Sequence, residues 1–199
     1  MRRALLASLV VVFAGALGWW GSDRLEERDA FCTSCHLPSG APLHRGNAAD
    51  FRARPAATLA AAHAAAGNAA REDGSFRCFD CHSGTGLLGR ARVKLLTLRD
   101  GVVYLTQRFD EPRGMRWPLL DEDCRKCHAE FAAPAGASDA WGPPPFHALA
   151  VHNRELGVTC VACHLAHPAG GLVEQNFLHA SAVRTECARC HPELEEGAP

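Results

Sequence analysis

The sequence predicts a mainly α-helical chain with much irregular structure: an N-terminal transmembrane helix, then a domain not organised around large apolar side chains. Three observations predict it. An apolar run follows two arginines at the start, large side chains are scarce, and one cysteine–histidine pattern recurs along the rest of the chain.

The N-terminal run covers residues 4–20, which is 17 residues and the lower limit for crossing a bilayer. Arg2 and Arg3 would stay on the cytoplasmic side, with Trp19 and Trp20 at the far interface. The same residues fit a cleaved signal peptide, with Ala14-Gly15-Ala16 as the cleavage site, and on the residues alone both readings stand. Either one exports the chain. Residues 22–31 (SDRLEERDAF) are good helix formers and extend the helix toward the first cysteine motif.

The hydrophobic fraction of 47% overstates the core, because much of it is alanine and cysteine. The chain has 9 Phe, 4 Trp, 1 Tyr and 2 Met. Something other than side chains must fill part of the interior. A formal charge of −1 and the lack of a basic run give no footprint for nucleic acid.

All ten cysteines fall in five C-x-x-C-H motifs: Cys32/Cys35/His36, Cys78/Cys81/His82, Cys124/Cys127/His128, Cys160/Cys163/His164 and Cys187/Cys190/His191. This is the c-type haem attachment signature. Two thiols three residues apart lie on one turn and can form thioethers with the two vinyl groups of one porphyrin. The next residue then offers a proximal imidazole to the iron. A redox dithiol or a zinc site would use C-x-x-C but does not call for histidine in every copy. The expectation is a multihaem cytochrome c domain built around five covalently attached haem c groups. Residues 1–21 form the membrane anchor and residues 22–199 the haem domain.

The motifs start 46, 46, 36 and 27 residues apart with no sequence repeat between them. Residues 55–67 read as an alanine-rich helix opened by Pro55 and closed by Gly67. Residues 87–109 read as a helix with a break at Gly101, and 133–145 as a loop. A further helix starts at Pro145, runs through Leu156 and stops at Gly157.

Six histidines remain for the distal side of five irons: His44, His63, His147, His152, His167 and His179. His63 sits in an alanine stretch that offers no polar partner. His167 follows its own motif too closely to reach over that iron and should serve a neighbour. His147 and His152 lie about 140° apart around a helix and cannot face one ring. His152, nearer the Gly157 turn, is the preferred ligand. His179 and His44 complete the candidate set, with Met115 a loop residue able to replace His44.

The order of short anchor, FCTSCH, RCFDCH, DEDCRKCH and VHNRELGVTCVACH over residues 4–167 resembles the NapC/NirT family of membrane-anchored multihaem cytochromes. The resemblance favours the anchor over the cleaved signal. It implies a single-pass protein of the bacterial cytoplasmic membrane with its haem domain in the periplasm. Such a protein carries electrons from membrane quinol, menaquinol or ubiquinol, to a periplasmic redox partner or reductase. It also implies a quinol site using a lysine and an acid after the second motif, here Lys94 and Asp100. The family's methionine two residues beyond the first motif histidine is Pro38 in this chain, and the fifth motif lies beyond the family's four.

A periplasmic relay fed by another membrane protein is the alternative. Reduction of a small oxyanion would need an iron without a distal ligand, which six spare histidines argue against.

Overall fold

The computed structural model describes residues 2–112, 114–129 and 158–194. The expected 133–145 loop, the helix from Pro145, and both His147 and His152 lie outside them.

Helix α1 (Arg2–Glu26) carries the apolar run, with mean hydropathy 1.9 over its most apolar window and no part of that window buried. Its 25 residues span roughly 37 Å at about 1.5 Å per residue, enough to cross a bilayer core. The helix runs uninterrupted past residue 21 into Ser22–Glu26, and Glu26 is its one buried side chain. It does not continue into the first motif. The chain breaks at Glu27 and Arg28, and a separate turn, α2 (Asp29–Cys32), delivers the first cysteine.

Helices α3 (Arg45–Arg52) and α4 (Leu59–Ala66) pack on each other. The α4 start is set by Thr58 and not by Pro55: the Thr58 hydroxyl accepts a hydrogen bond from the Ala61 N–H at 3.1 Å. Gly67 ends the helix with φ +80°, and a Cβ there would lie 2.5 Å from the Gly74 carbonyl oxygen, so only glycine fits. The Ala60 N–H reaches across to the Ala166 carbonyl at 2.9 Å, joining α4 to the segment after the fourth motif.

Next come α5 (Cys78–His82), the long α6 (Gly86–Thr106), α7 (Asp121–Arg125), α8 (Cys160–Cys163) and α9 (Ala180–Ala188). Short 3₁₀ turns lie at Val173–Gln175 and Pro192–Leu194. Helix α6 passes through Gly101 without a break, since one glycine costs a helix only about 1 kcal/mol. It stops at Gln107, which takes the left-handed conformation at φ 54°. Among the described residues there is no strand, only the isolated bridges His36–Pro42 and Leu172–Leu178.

The apolar side chains buried among the described residues are Phe51, Ala61 and Phe177. Thr58, Glu26 and His179 are the buried polar ones. So few buried apolar side chains cannot explain the domain by packing alone, which agrees with the composition.

Thr58 is 1% exposed and caps the helix that carries His63. Thr58→Ala is expected to cost about 1 kcal/mol. In thermal unfolding of the haem-loaded protein this reads as a Tm lower by about 2–4 °C.

Candidate haem-binding sites

The first cysteine of every motif stands on a helix. Both thiols stand on one helix for Cys78 with Cys81 on α5 and for Cys160 with Cys163 on α8. Cys35, Cys127 and Cys190 lie beyond the ends of α2, α7 and α9, which stop at Cys32, Arg125 and Ala188. The reason is the tightening of a chain that leaves a helix, where i to i+3 bonds replace the longer helical ones. The Cys127 N–H donates to the Cys124 carbonyl and the Cys190 N–H to the Cys187 carbonyl, both at 3.1 Å. These bonds still close a turn between the two thiols of each motif.

Cys32, Cys127 and Cys190 are exposed, while the other seven cysteines are half-buried. All ten cysteines are free of disulfides, as thioether attachment requires.

In three motifs the histidine N–H also bonds the carbonyl of the first cysteine: His128 on Cys124 at 3.0 Å, His164 on Cys160 at 2.9 Å, His191 on Cys187 at 2.9 Å. Acidic residues start two of the turns. Asp80 accepts from the Arg77 N–H at 2.8 Å, and Asp123 from the Leu120 N–H at 3.2 Å.

The motif turns pack one against the next in chain order, α2 on α5, α5 on α7, α7 on α8, α8 on α9. The contacts between them repeat. The Asp29 carboxylate accepts from the Cys78 N–H at 3.0 Å, and Asp121 accepts from the Cys160 N–H at 2.8 Å. Both aspartates stand three residues before the first cysteine of their own motif, so motifs one and three each hold the start of the motif that follows. Lys126 links the two halves by donating to the Asp80 carbonyl at 2.9 Å and the Ser83 hydroxyl at 3.0 Å. The fifth motif joins through the His179 N–H, 3.4 Å from the Cys163 carbonyl. Arg71 grips Asp80 at 2.7 Å; although burial acts to raise the Asp80 pKa, Arg71 and the Arg77 N–H hold the carboxyl below the usual carboxylate range.

Two histidine pairs face each other across the domain. His82 and His167 lie with ring centres 6.2 Å apart and planes 22° from parallel. His63 and His128 lie 6.0 Å apart and nearly perpendicular, at 87°. A transition-metal bond to imidazole nitrogen is about 2 Å, which puts two opposed nitrogens about 4 Å apart and their ring centres about 6 Å apart. Both centre-to-centre separations match that figure. His167 faces the second motif's histidine and not its own, while His63, which precedes the second motif, faces the third.

Four histidines direct Nδ1 to a protein oxygen. His63 donates to the Leu59 carbonyl (2.9 Å), His164 to Asn176 (3.0 Å), His191 to Glu193 (3.3 Å), and His36 more weakly to Leu37 (3.4 Å). An oxygen acceptor requires the proton on Nδ1, which leaves the Nε2 lone pair for a metal. Burial pushes the His82 pKa down to about 4, with His167 and His44 adding repulsion, and burial also lowers His167. Both imidazoles are therefore neutral, the form that ligates. The buried Nδ1 of His167 and Nε2 of His179 have no hydrogen-bond partner. A buried unsatisfied polar atom costs about 1–3 kcal/mol, and a metal bond to that same nitrogen would remove the cost. Among the described residues no three His, Cys, Asp or Glu side chains converge as they would around a bare ion.

His44 turns elsewhere: its N–H donates to Glu111 at 2.8 Å and its Nδ1 lies 3.9 Å from the same carboxylate. Met115 lines a cleft with His82, Arg92 and Trp117. Lys94 and Asp100 are not brought together. Lys94 donates to Ser22 (2.6 Å) and Glu26 (3.0 Å), pairs with Asp23 at 2.8 Å, and stands over the Trp19 ring. Arg90 bridges Asp23 and Glu26 beside it. Asp100 lies about 120° further around α6, pairs with Arg99 at 2.7 Å, and is exposed.

Sequence reasoning missed the aspartates that precede motifs one and three; the shared D-x-x-C-x-x-C-H string would have found them. It also missed Tyr104, whose hydroxyl lies 3.2 Å from His36 Nε2. The one signal it carried is that the chain has a single tyrosine.

Residues 115–192 match the family model described as cytochrome c7 and related cytochrome c, a stretch containing three of the motifs. No curated protein matches the chain, and no solved structure does. The match supports a multihaem c-type cytochrome and, with it, electron transfer.

Removing the inter-motif carboxylate leaves a half-buried amide without its charged acceptor. Asp29→Ala and Asp121→Ala are each expected to destabilise the haem-loaded protein by about 1–3 kcal/mol. The denaturant midpoint should fall with an unchanged m value.

Proposed function

We propose that this chain is a membrane-anchored pentahaem cytochrome c that carries electrons from membrane quinol to a periplasmic acceptor or reductase. The observation that carries the reading is the unbroken series of motif contacts, α2 to α5 to α7 to α8 to α9, beginning beside the end of α1. When bound, the haems supply one-electron iron chemistry at sites close enough for transfer between neighbours. The chain's own residues do the rest. The ten cysteines attach the rings. His82 with His167 and His63 with His128 supply opposed imidazoles for the second and third sites. His164 and His191 are the remaining proximal ligands, with His179 a distal ligand in the region of the last two motifs.

Helix α1 supports the anchor. Its apolar side chains are exposed all round, with Leu5, Val11 and Phe13 at 63%, 70% and 66%, and water is a poor solvent for such a surface. At its far end Asp23 and Glu26 meet Arg90 and Lys94 of α6, so the anchor and the first two motifs are joined by charge pairs. The resemblance to the NapC/NirT family over residues 4–167 supports quinol as the donor. Quinol oxidation releases two protons with its two electrons, and Lys94 stands at the end of the apolar helix, where a headgroup would arrive. The carboxylates beside Lys94 are Asp23 and Glu26, which makes them better candidates than Asp100 for its acidic partner.

The second reading, a periplasmic relay without a quinol site, is favoured by one observation. Every contact that Lys94 makes with Ser22, Asp23 and Glu26 is also what a purely structural clamp would make.

The protein in liposomes containing menaquinol separates the two. For a quinol site, Lys94→Met should slow haem reduction by tenfold or more, while Asp100→Asn leaves it unchanged. Equal rates for Lys94→Met and wild type would establish the relay. The ligand assignment has its own check. His63→Ala and His167→Ala should each convert one low-spin haem to a five-coordinate one that binds carbon monoxide, with intact mass still giving five haems.

A further inference from the structure

His36 faces no second histidine among the described residues. It faces Tyr104, with ring centres 5.7 Å apart and planes at 65°. This is close to the separation at which His167 faces His82 and His63 faces His128. We propose that Tyr104 is the axial oxygen ligand opposite His36 at the first haem. The proposal rests on the pentahaem reading, which attaches a haem at Cys32 and Cys35.

The atoms are set for it. His36 turns Nδ1 to the Leu37 carbonyl, so the nitrogen aimed at the Tyr104 hydroxyl is Nε2, the one a metal would take. The Nε2-to-hydroxyl distance is 3.2 Å. Two ligand atoms on one metal stand about 4 Å apart, so a retreat of about 1 Å by the phenol makes room. Tyrosine is an established haem ligand type.

Tyr104 is also held where it is. It lies on the last turn of the 21-residue α6, with the Phe109 ring 5.8 Å from its own. Both the backbone N–H and the side-chain amide of Gln107 donate to its carbonyl, at 3.1 and 2.9 Å. The other candidates are otherwise engaged or lack a donor atom. The His44 imidazole stands 3.9 Å from the Glu111 carboxylate, and Pro38 carries nothing that ligates.

On binding ferric iron, Tyr104 exchanges its O–H bond for an O–Fe bond. The phenolic proton leaves to water at this half-exposed position, and no electron moves. An anionic oxygen favours the ferric state over two neutral imidazoles. The site nearest the anchor would then differ in potential and spin from the sites served by paired histidines.

The chain's single tyrosine makes the test free of background. The full-length haem-loaded protein is prepared with ring-deuterated tyrosine, and resonance Raman is excited in the visible phenolate-to-iron band. Phenolate modes that shift with the label are expected, and they vanish in Tyr104→Phe, where one additional haem becomes able to bind carbon monoxide. Tyr104→His should instead add one low-spin haem to the electron paramagnetic resonance spectrum. Mass spectrometry of the peptide containing residues 32–36 distinguishes the two ways of failing. A haem-bearing peptide without label-sensitive phenolate modes overturns this ligand alone, whereas a haem-free peptide overturns it together with the pentahaem reading.

Discussion

Everything in this domain depends on the geometry of one short turn. Residues three apart on a turn point the same way, and the fourth follows at a fixed angle, so a C-x-x-C-H string presents two thiols and one imidazole as a set. The hydrogen bond from the histidine N–H to the first cysteine's carbonyl, seen at Cys124, Cys160 and Cys187, keeps that set in register. Where the helix has already ended, at Cys127 and Cys190, the tighter bond back to the first cysteine does the same work. A chain whose buried apolar residues are Phe51, Ala61 and Phe177 among those described has little else to organise it. Rings joined to the cysteine sulfurs would supply what a conventional core gets from leucine and phenylalanine.

Covalent attachment places a ring relative to its own turn but not relative to its neighbours. That second task falls to polar contacts between turns. Asp29 and Asp121 hold the amides of Cys78 and Cys160, and Lys126 joins the two halves by binding the Asp80 carbonyl. These bonds are short-range and directional, which suits them to hold spacing where bulk packing is thin. A carboxylate-to-amide bond contributes more than a neutral one because the charge is only partly hydrated. The same arrangement appearing at Asp29 and Asp121 makes the first four motifs two similar pairs, with the fifth joined at the end through His179.

The junction between α1 and the haem domain uses charge for a related reason. Arg90 and Lys94 meet Asp23 and Glu26 where the helix leaves its apolar run, and Glu26 is the one residue of α1 that is buried. An ion cluster at that level resists both withdrawal of the helix into an apolar phase and rotation about its axis.

Much of the chemistry could be read directly from the letters, because it is local. The five C-x-x-C-H strings, the apolar helix and the alanine-rich α4 all follow from spacings of five residues or fewer, or from one continuous run. Where such readings missed, a nearby contact or a helix end decided. Thr58 and not Pro55 opens α4, and α6 passes through Gly101. The opposed partners could not be read at all. His63 lies 65 residues from His128, His167 lies 85 from His82, and Tyr104 lies 68 from His36. Each pair meets only because α4 is tied to the segment after the fourth motif and α6 runs back past the first. Composition and spacing are properties of a segment, whereas which ring stands across from which depends on how distant segments are brought together in space.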